Sequence, residues 1–347
     1  MTASPVAPLA AQHDNRFDFL RLFAAWLVLL SHGFPLGGQP AREPLASTLG
    51  LDTLGGVGVT IFFVLSGYLV SLSLLRSPSL WVFARRRVVR IYPALAVTCL
   101  LCVLVLGPVV TQLPLDVYFR ERETWNYLKT ATAFSIKFTL PGVFAGNPLA
   151  NAINGSLWSL PYEIKCYVAL AVLGLLPGSL RFKSLAAFGI LLLSLLFRPA
   201  APGLGLFDSF AGLDFYDSKL GLSFAVGAVF AAWKDTLRPS LWAGLALVLC
   251  APFAPHAPLQ VALWVVGLSV SVLWLALYGK WLPVIAQRWG DWSYGMYLYG
   301  FPVQQALAYA GGHQWGVGWF VALSTLLTLV LAGLSWHAIE KPAMRWK

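Results

Sequence analysis

Ten stretches of this chain are apolar over most of a helix length, and that pattern constrains the fold more than any other feature. A helix crosses a hydrocarbon core about 30 Å thick with roughly 20 consecutive apolar residues. The stretches centre on residues 20–34, 58–75, 92–110, 157–176, 185–196, 215–233, 241–253, 259–278, 294–310 and 317–339. The fifth and seventh are short, so the count is about ten. Only 11% of the residues are charged and 58% are hydrophobic, whereas soluble domains carry roughly 25% charged residues. A water-soluble fold of this length is excluded. The expectation is an all-α, polytopic integral membrane protein with about ten transmembrane helices, forming one domain over residues 1–347.

The formal charge of +10 does not point to nucleic acid, because the basic residues sit in the connections between apolar runs. They read as topogenic signals: cytoplasmic loops hold the excess of Lys and Arg. With the N-terminus inside, 16 of the 24 Lys and Arg fall on the cytoplasmic side and 8, including Arg42, Lys165, Arg198 and Lys219, on the outer side or outer half. Both termini are then cytoplasmic, and the bilayer is the first partner. Residues 1–15 are polar, with no basic segment or cleavage site before the first apolar run, so that run is expected to be retained. The longest connection, about residues 111–156, lies outside and is too long for a simple turn. No repeat and no appended soluble domain is visible. Fifteen Trp suit two interfacial belts. Cys99 and Cys102 form a CxxC within an apolar run with no His or carboxylate nearby in sequence, so packing is the expected role and no metal site is assigned.

Ionisable side chains within spans are costly and default to functional candidates. The first span carries Asp18, Arg21 and His32. Eleven residues bring Arg21 and His32 back to nearly one helix face, about 16 Å apart along the axis. They cannot touch, but they can line one cavity, Arg21 near its cytoplasmic mouth and His32 deeper. A histidine titrates near neutrality and can shuttle a proton from an attacking hydroxyl to a leaving group; the alternative is a structural histidine at the interface. Asp18 and Arg21 are most simply an intrahelical pair, with donor binding by Arg21 the sharper reading. Four arginines, Arg85, Arg86, Arg87 and Arg90, fall within six residues. Arg87 and Arg90, three apart, can present two guanidinium groups on one face, which suits phosphates, though anionic lipid or simple anchoring would use the same residues. Glu163 opens the fourth span beside Lys165, and either orients a histidine, bonds an acceptor hydroxyl or pairs with a cation.

In order along the chain, these residues match a known pattern. Arg21 and His32 stand in "FDFLRLFAAWLVLLSH", residues 56–69 read "GVGVTIFFVLSGYL", Arg87 and Arg90 form an RxxR followed by "IYP", and "NGSLWSLPYE" ends at Glu163. Weaker echoes are "SYGMYLYGFP" at 293–302 and "IEKP" at 339–342. Over most of its length the chain resembles the membrane-bound acyltransferase 3 family, whose members use acyl-CoA to modify extracytoplasmic saccharides, antibiotics, lipids or other acceptors.

The resemblance implies an O-acyltransferase of a bacterial inner membrane, moving an acyl group, expected to be acetyl, from cytoplasmic acyl-CoA to a saccharide or similar hydroxyl. It implies His32, Arg21 and Glu163 as catalytic residues and Arg87 and Arg90 as contacts to acyl-CoA. Asp18, Ser66, Tyr68 and Trp158, within or beside the motifs, are expected to contact substrate. The chain departs from the family at Thr60, where many members are acidic, and at Gly300, where many have histidine; the second departure concentrates the expectation of a base on His32. A transporter or flippase is the competing class, since intramembrane charges and the Pro161–Glu163 start of the fourth span also mark substrate pathways.

Overall fold

The computed structural model describes residues 16–197, 213–285 and 290–346. The polar N-terminus, Arg198, Arg288 and Lys347 lie outside these described residues.

Each apolar run is helical. The main helices are α1 (Arg16–Leu36), α2 (Leu54–Arg76), α3 (Leu80–Leu101), α4 (Leu160–Leu175), α5 (Leu180–Leu196), α6 (Phe215–Ala232), α7 (Leu241–Cys250), α8 (Ala257–Tyr278), α9 (Ser293–Tyr309) and α10 (Val317–Ser335). Among the described residues, five helical stretches are long and apolar enough to cross a membrane: Arg16–Leu36, Leu54–Arg76, Leu80–Val110, Ala257–Tyr278 and Val317–Trp346. The architecture is that of an integral membrane protein. The other five runs form helices of 10 to 18 residues. Several are lengthened by tighter turns, as Gly155–Ser159 before α4 and Ala251–Phe253 after α7.

α3 begins twelve residues before the apolar run that announced it. Ser79 caps its start by accepting from the Val82 N–H at 3.3 Å, so the arginine cluster lies within the first turns of the helix and not in a loop. Past Leu101 the helix widens into a π-turn at Cys102–Leu106. The Tyr118 hydroxyl, from the long connection that follows, donates to the Val103 carbonyl there at 3.0 Å.

α1 packs between α2 and α9, and α2 packs against α6. The last pair approaches closely because of glycine: a Cβ at Gly67 would lie 2.0 Å from the Phe224 carbonyl oxygen, and one at Gly227 would lie 2.2 Å from that of Val64. Close backbone approach at small residues is how helices associate in lipid, where the hydrophobic effect between them is absent.

The long connection between α3 and α4 is a packed structure. It holds short helices at Leu115–Arg120 and Arg122–Asn126 and a 3₁₀ stretch at Tyr127–Thr132. Tyr118, Tyr127, Phe144, Ile153 and Leu157 are buried in one cluster with Leu95, Cys99 and Cys102 of the α3 span. Polar tethers hold it to α9. Asn147 Nδ2 donates to Gln305 Oε1 at 2.6 Å, and Gln305 Nε2 donates to the carbonyls of Leu149 and Ala152 at 2.8 and 2.7 Å. Asn154 Nδ2 donates to the Leu298 carbonyl at 2.8 Å. Net values of about 0.5–1.5 kcal/mol for each such bond are enough, together, to fix the register of the segment on the helix.

Candidate active site

A cavity of about 620 Å³ opens among α1, α2, α3, α4 and α9. Asp18, Arg21, Ser66, Arg87, Arg90 and Glu163, six of the residues singled out in the sequence, line it together. They come from four helices and are separated by up to 145 positions, so the fold gathers what the motifs scattered.

Two carboxylates that the sequence did not single out, one outside every motif and one inside the "IEKP" echo, organise the basic side. Asp291, just before α9, accepts from Arg90 at 2.5 Å and pairs with Arg21 at 3.5 Å. Glu340 pairs with the other terminal nitrogen of Arg90 at 3.1 Å, and Ser335 Oγ donates to its second oxygen at 3.2 Å. Burial pushes the Asp291 carboxyl up, but the guanidinium groups of Arg90 and Arg21 and the Ser293 hydroxyl and N–H outweigh it, holding the group below its ordinary value. The ion pair found for Arg21 is therefore with α9's leading segment, across the cavity mouth.

Arg87 and Arg90 are three residues apart but are not equivalent. Both terminal nitrogens of Arg90 are engaged by protein carboxylates. Arg87 instead lies over the rings of Phe83 and Tyr167, 5.9 Å from each centroid, and its Nε has no partner among the described residues. Arg86 and Arg76 join it in the lining. The phosphate-binding pair expected from spacing is thus, in geometry, one clamped and one open guanidinium.

Glu163 does not pair with Lys165. The Lys165 ammonium reaches both oxygens of Asp217 at 2.8 and 2.9 Å, leaving Glu163 on the cavity side, where it accepts from Ser66 Oγ at 3.4 Å and, in a short contact, from the Tyr167 hydroxyl.

His32 is outside this lining and connects to it through one turn. Its Nδ1 lies 3.4 Å from Ser156 Oγ, and the edge of Phe301 packs against its ring at a centroid distance of 5.2 Å. Gly155 allows that ring its place, because a Cβ there would sit 2.6 Å from Phe301 Cε2. The Tyr297 hydroxyl, in the cavity wall, donates to the Ser156 carbonyl. Having given its only proton to a carbonyl, Tyr297 must accept from Ser159 Oγ at 3.0 Å. Asn154, Ser156 and Ser159, from the motif "NGSLWSLPYE", and Tyr297, from the fainter "SYGMYLYGFP", thus link His32 to the cavity, a role neither motif resolved.

The remaining expected substrate residues divide. Trp158 lines a second cavity of about 610 Å³, with Phe134, Tyr162, Lys165 and Tyr216. Tyr68 lines neither cavity; it is buried, stacked on Phe17 at 5.8 Å. Of the two departures, Thr60 is fully buried in α2, and Gly300 faces Leu29, where an added Cβ would lie 3.3 Å from Cδ1.

A family model described as an acyltransferase domain, that of acyltransferase 3, matches residues 14–337. The chain belongs to the acyltransferase 3 family. An O-acetyl transferase of Shigella phage Sf6 is 31% identical, across 94% of this chain and 95% of its own. Nodulation protein 10 of Rhizobium leguminosarum bv. viciae is 32% identical, across 96% and 94%. YrhL of Bacillus subtilis, provisionally named a peptidoglycan O-acetyltransferase, is 26% identical across 83% of this chain and 50% of its own length. No solved structure matches. This acyltransferase 3 member is an O-acyltransferase, and its cavity is the candidate active site.

Proposed function

We propose that this enzyme transfers an acetyl group from cytoplasmic acetyl-CoA to a hydroxyl of an extracytoplasmic saccharide, with both termini in the cytoplasm and about ten helices spanning a bacterial inner membrane. The observation that carries the reading is the polarity of the 620 Å³ cavity: arginines crowd one end and the Ser159–Tyr297 pair beneath His32 closes the other. The names of the Sf6 and YrhL relatives support O-acetylation, and that of YrhL a glycan acceptor.

In this reading Arg87, with Arg86 and Arg76, binds the donor phosphates, while Arg90 and Asp291 hold Arg21 at the mouth. The thioester end enters toward α1's outer half, since Arg21 and His32 bracket about 16 Å along the axis. Asp18 and Ser66 border the donor path, and Glu163 presents a carboxylate to it. If Nδ1 of His32 donates to Ser156 Oγ, Nε2 is left as a base. It takes the acceptor's hydroxyl proton as the oxygen attacks the thioester carbonyl, the C–S bond breaks, and the proton passes to the departing thiolate. The same nitrogen could instead carry the acyl group first and pass it on.

The test is transfer from radiolabelled acetyl-CoA in membranes containing the wild type or His32→Ala, with cell-envelope glycans as acceptor. Label in glycan with the wild type alone supports both reaction and base. Absence of acetyl-CoA binding to intact protein would sink the enzyme–donor assignment. Trapping an acetyl-histidine without acceptor would select the covalent route.

A further inference from the structure

The second cavity is a groove with an unusual wall. Trp158, Tyr162 and Tyr216 form a three-sided aromatic corner: Trp158 and Tyr216 have centroids 4.6 Å apart at 58°, and Tyr162 lies 6.0 Å from each, tilted by 69° and 58°. Tilted rings leave faces uncovered. An aromatic face is the negative pole of a quadrupole and attracts weakly positive C–H groups. Along the same wall are polar groups already held in place. Tyr162 donates to Asp214 Oδ2 at 2.8 Å. Lys165 spans both oxygens of Asp217, with its ammonium 4.8 Å from the Tyr162 centroid. Two of the ammonium's three donors are used there, so one remains.

The charges select among occupants. Lys165 against Asp214 and Asp217 gives the edge a formal charge of −1, which disfavours a phosphate or an anionic lipid headgroup. The apolar C–H face and hydroxyl-bearing rim of a neutral sugar match aromatic faces bordered by the Lys165 ammonium, whose third donor has no partner among the described residues, with the carboxylates of Asp214 and Asp217 behind the lining. The groove, about 610 Å³, falls within the roughly 300–1,000 Å³ of small-ligand clefts. It also adjoins the candidate base, for Trp158 stands two residues from Ser156, the partner of His32, on the single turn Gly155–Ser159.

Building on the proposed function, we infer that this groove is the acceptor subsite, binding a neutral saccharide by stacking sugar faces on Trp158, Tyr162 and Tyr216, with Lys165 and Asp214 at its hydroxyl edge. It separates acceptor from donor on opposite sides of one turn.

Two measurements on the full-length enzyme in lipid nanodiscs test this, using a pool of muramidase-released peptidoglycan fragments and acid-released O-polysaccharide as the probe. Hydroxyl-radical footprinting, which needs no turnover, should show Trp158 and Tyr216 protected by the glycan pool and not by decanol. In transfer assays, Trp158→Ala and the more exposed Tyr216→Ala should each raise KM for the glycan about tenfold or more, with KM for acetyl-CoA held within about twofold. Protection by decanol alone, or transfer by the wild type with no glycan protection and unchanged glycan KM in both variants, overturns the groove and leaves the acetyltransferase reading intact. Glycan protection without any transfer supports the groove and overturns the reaction.

Discussion

Ser156 Oγ and His32 Nδ1 lie 3.4 Å apart, which joins the turn before α4 to the first helix at its candidate base. A contact of this length orients more than it binds. Removing the hydroxyl in Ser156→Ala should lower kcat by about tenfold or less, in keeping with a single bond of about 0.5–1.5 kcal/mol, and leave KM for acetyl-CoA in place. His32→Ala should abolish turnover. Because Ser156 acts through the ring, its variant should also displace the acidic limb of the pH–rate profile, which a purely structural role would not do.

The two arginines of the RxxR pair should fail differently. Arg87→Ala removes a guanidinium that, among the described residues, lies against rings alone, so folded protein should remain and KM for acetyl-CoA should rise by about tenfold to a hundredfold, the value of charge-assisted bonds of about 1.5–3 kcal/mol. Arg90→Ala strips buried Glu340 of its guanidinium partner and leaves Asp291 with Arg21 alone, and should cost about 3–5 kcal/mol. Size-exclusion profiles and thermal melts in nanodiscs separate a binding defect from a folding one.

Asp291 predicts a pH dependence. Its carboxyl is held below the ordinary aspartate value by Arg90 and Arg21, against burial. The stabilisation is therefore fully present above the unfolded pKa, about 4, and is lost as pH falls through the lower folded value. The melting temperature of the wild type should carry this group's full contribution, unchanged with pH, well above about pH 4, and should decline below it. Asp291→Asn should start lower and lack that part of the decline.

Glycine contacts give a structural control. Gly67→Ala places a methyl 2.0 Å from the Phe224 carbonyl oxygen and must push α2 from α6, costing about 1–3 kcal/mol or more. Gly189→Ala, with nothing near its added methyl in α5, should be neutral or stabilise by up to about 1 kcal/mol. Thermal melts of the two variants should move in opposite directions.

Hydropathy located the helices well because lipid imposes a composition on any segment that crosses it. It placed the start of α3 too late because the four arginines that mask its first turns carry the opposite signal. The motifs brought six cavity residues into view, yet their partners were not legible. Asp291 sits in a polar connection with no periodicity to flag it, and Glu340 stood only inside the faint "IEKP" echo. The pairing of Lys165 with Asp217 bridges 52 positions and two helices, so adjacency in sequence suggested Glu163 instead. Trp158 and Ser159 are neighbours, but consecutive residues of a 3₁₀ turn point about 120° apart, which sends one to the groove and the other to the arginine-lined cavity.

That turn bears on a problem every energised membrane poses. A protein hollowed from both faces is a short-circuit unless something dry and well bonded stands between the hollows. In the proposed topology, the Tyr297 hydroxyl, fixed by the Ser156 carbonyl and Ser159, and Phe301 wedged against Gly155 would form that insulation. Under the proposed function, chemistry at His32 would then proceed beside the barrier while the proton gradient across it is kept.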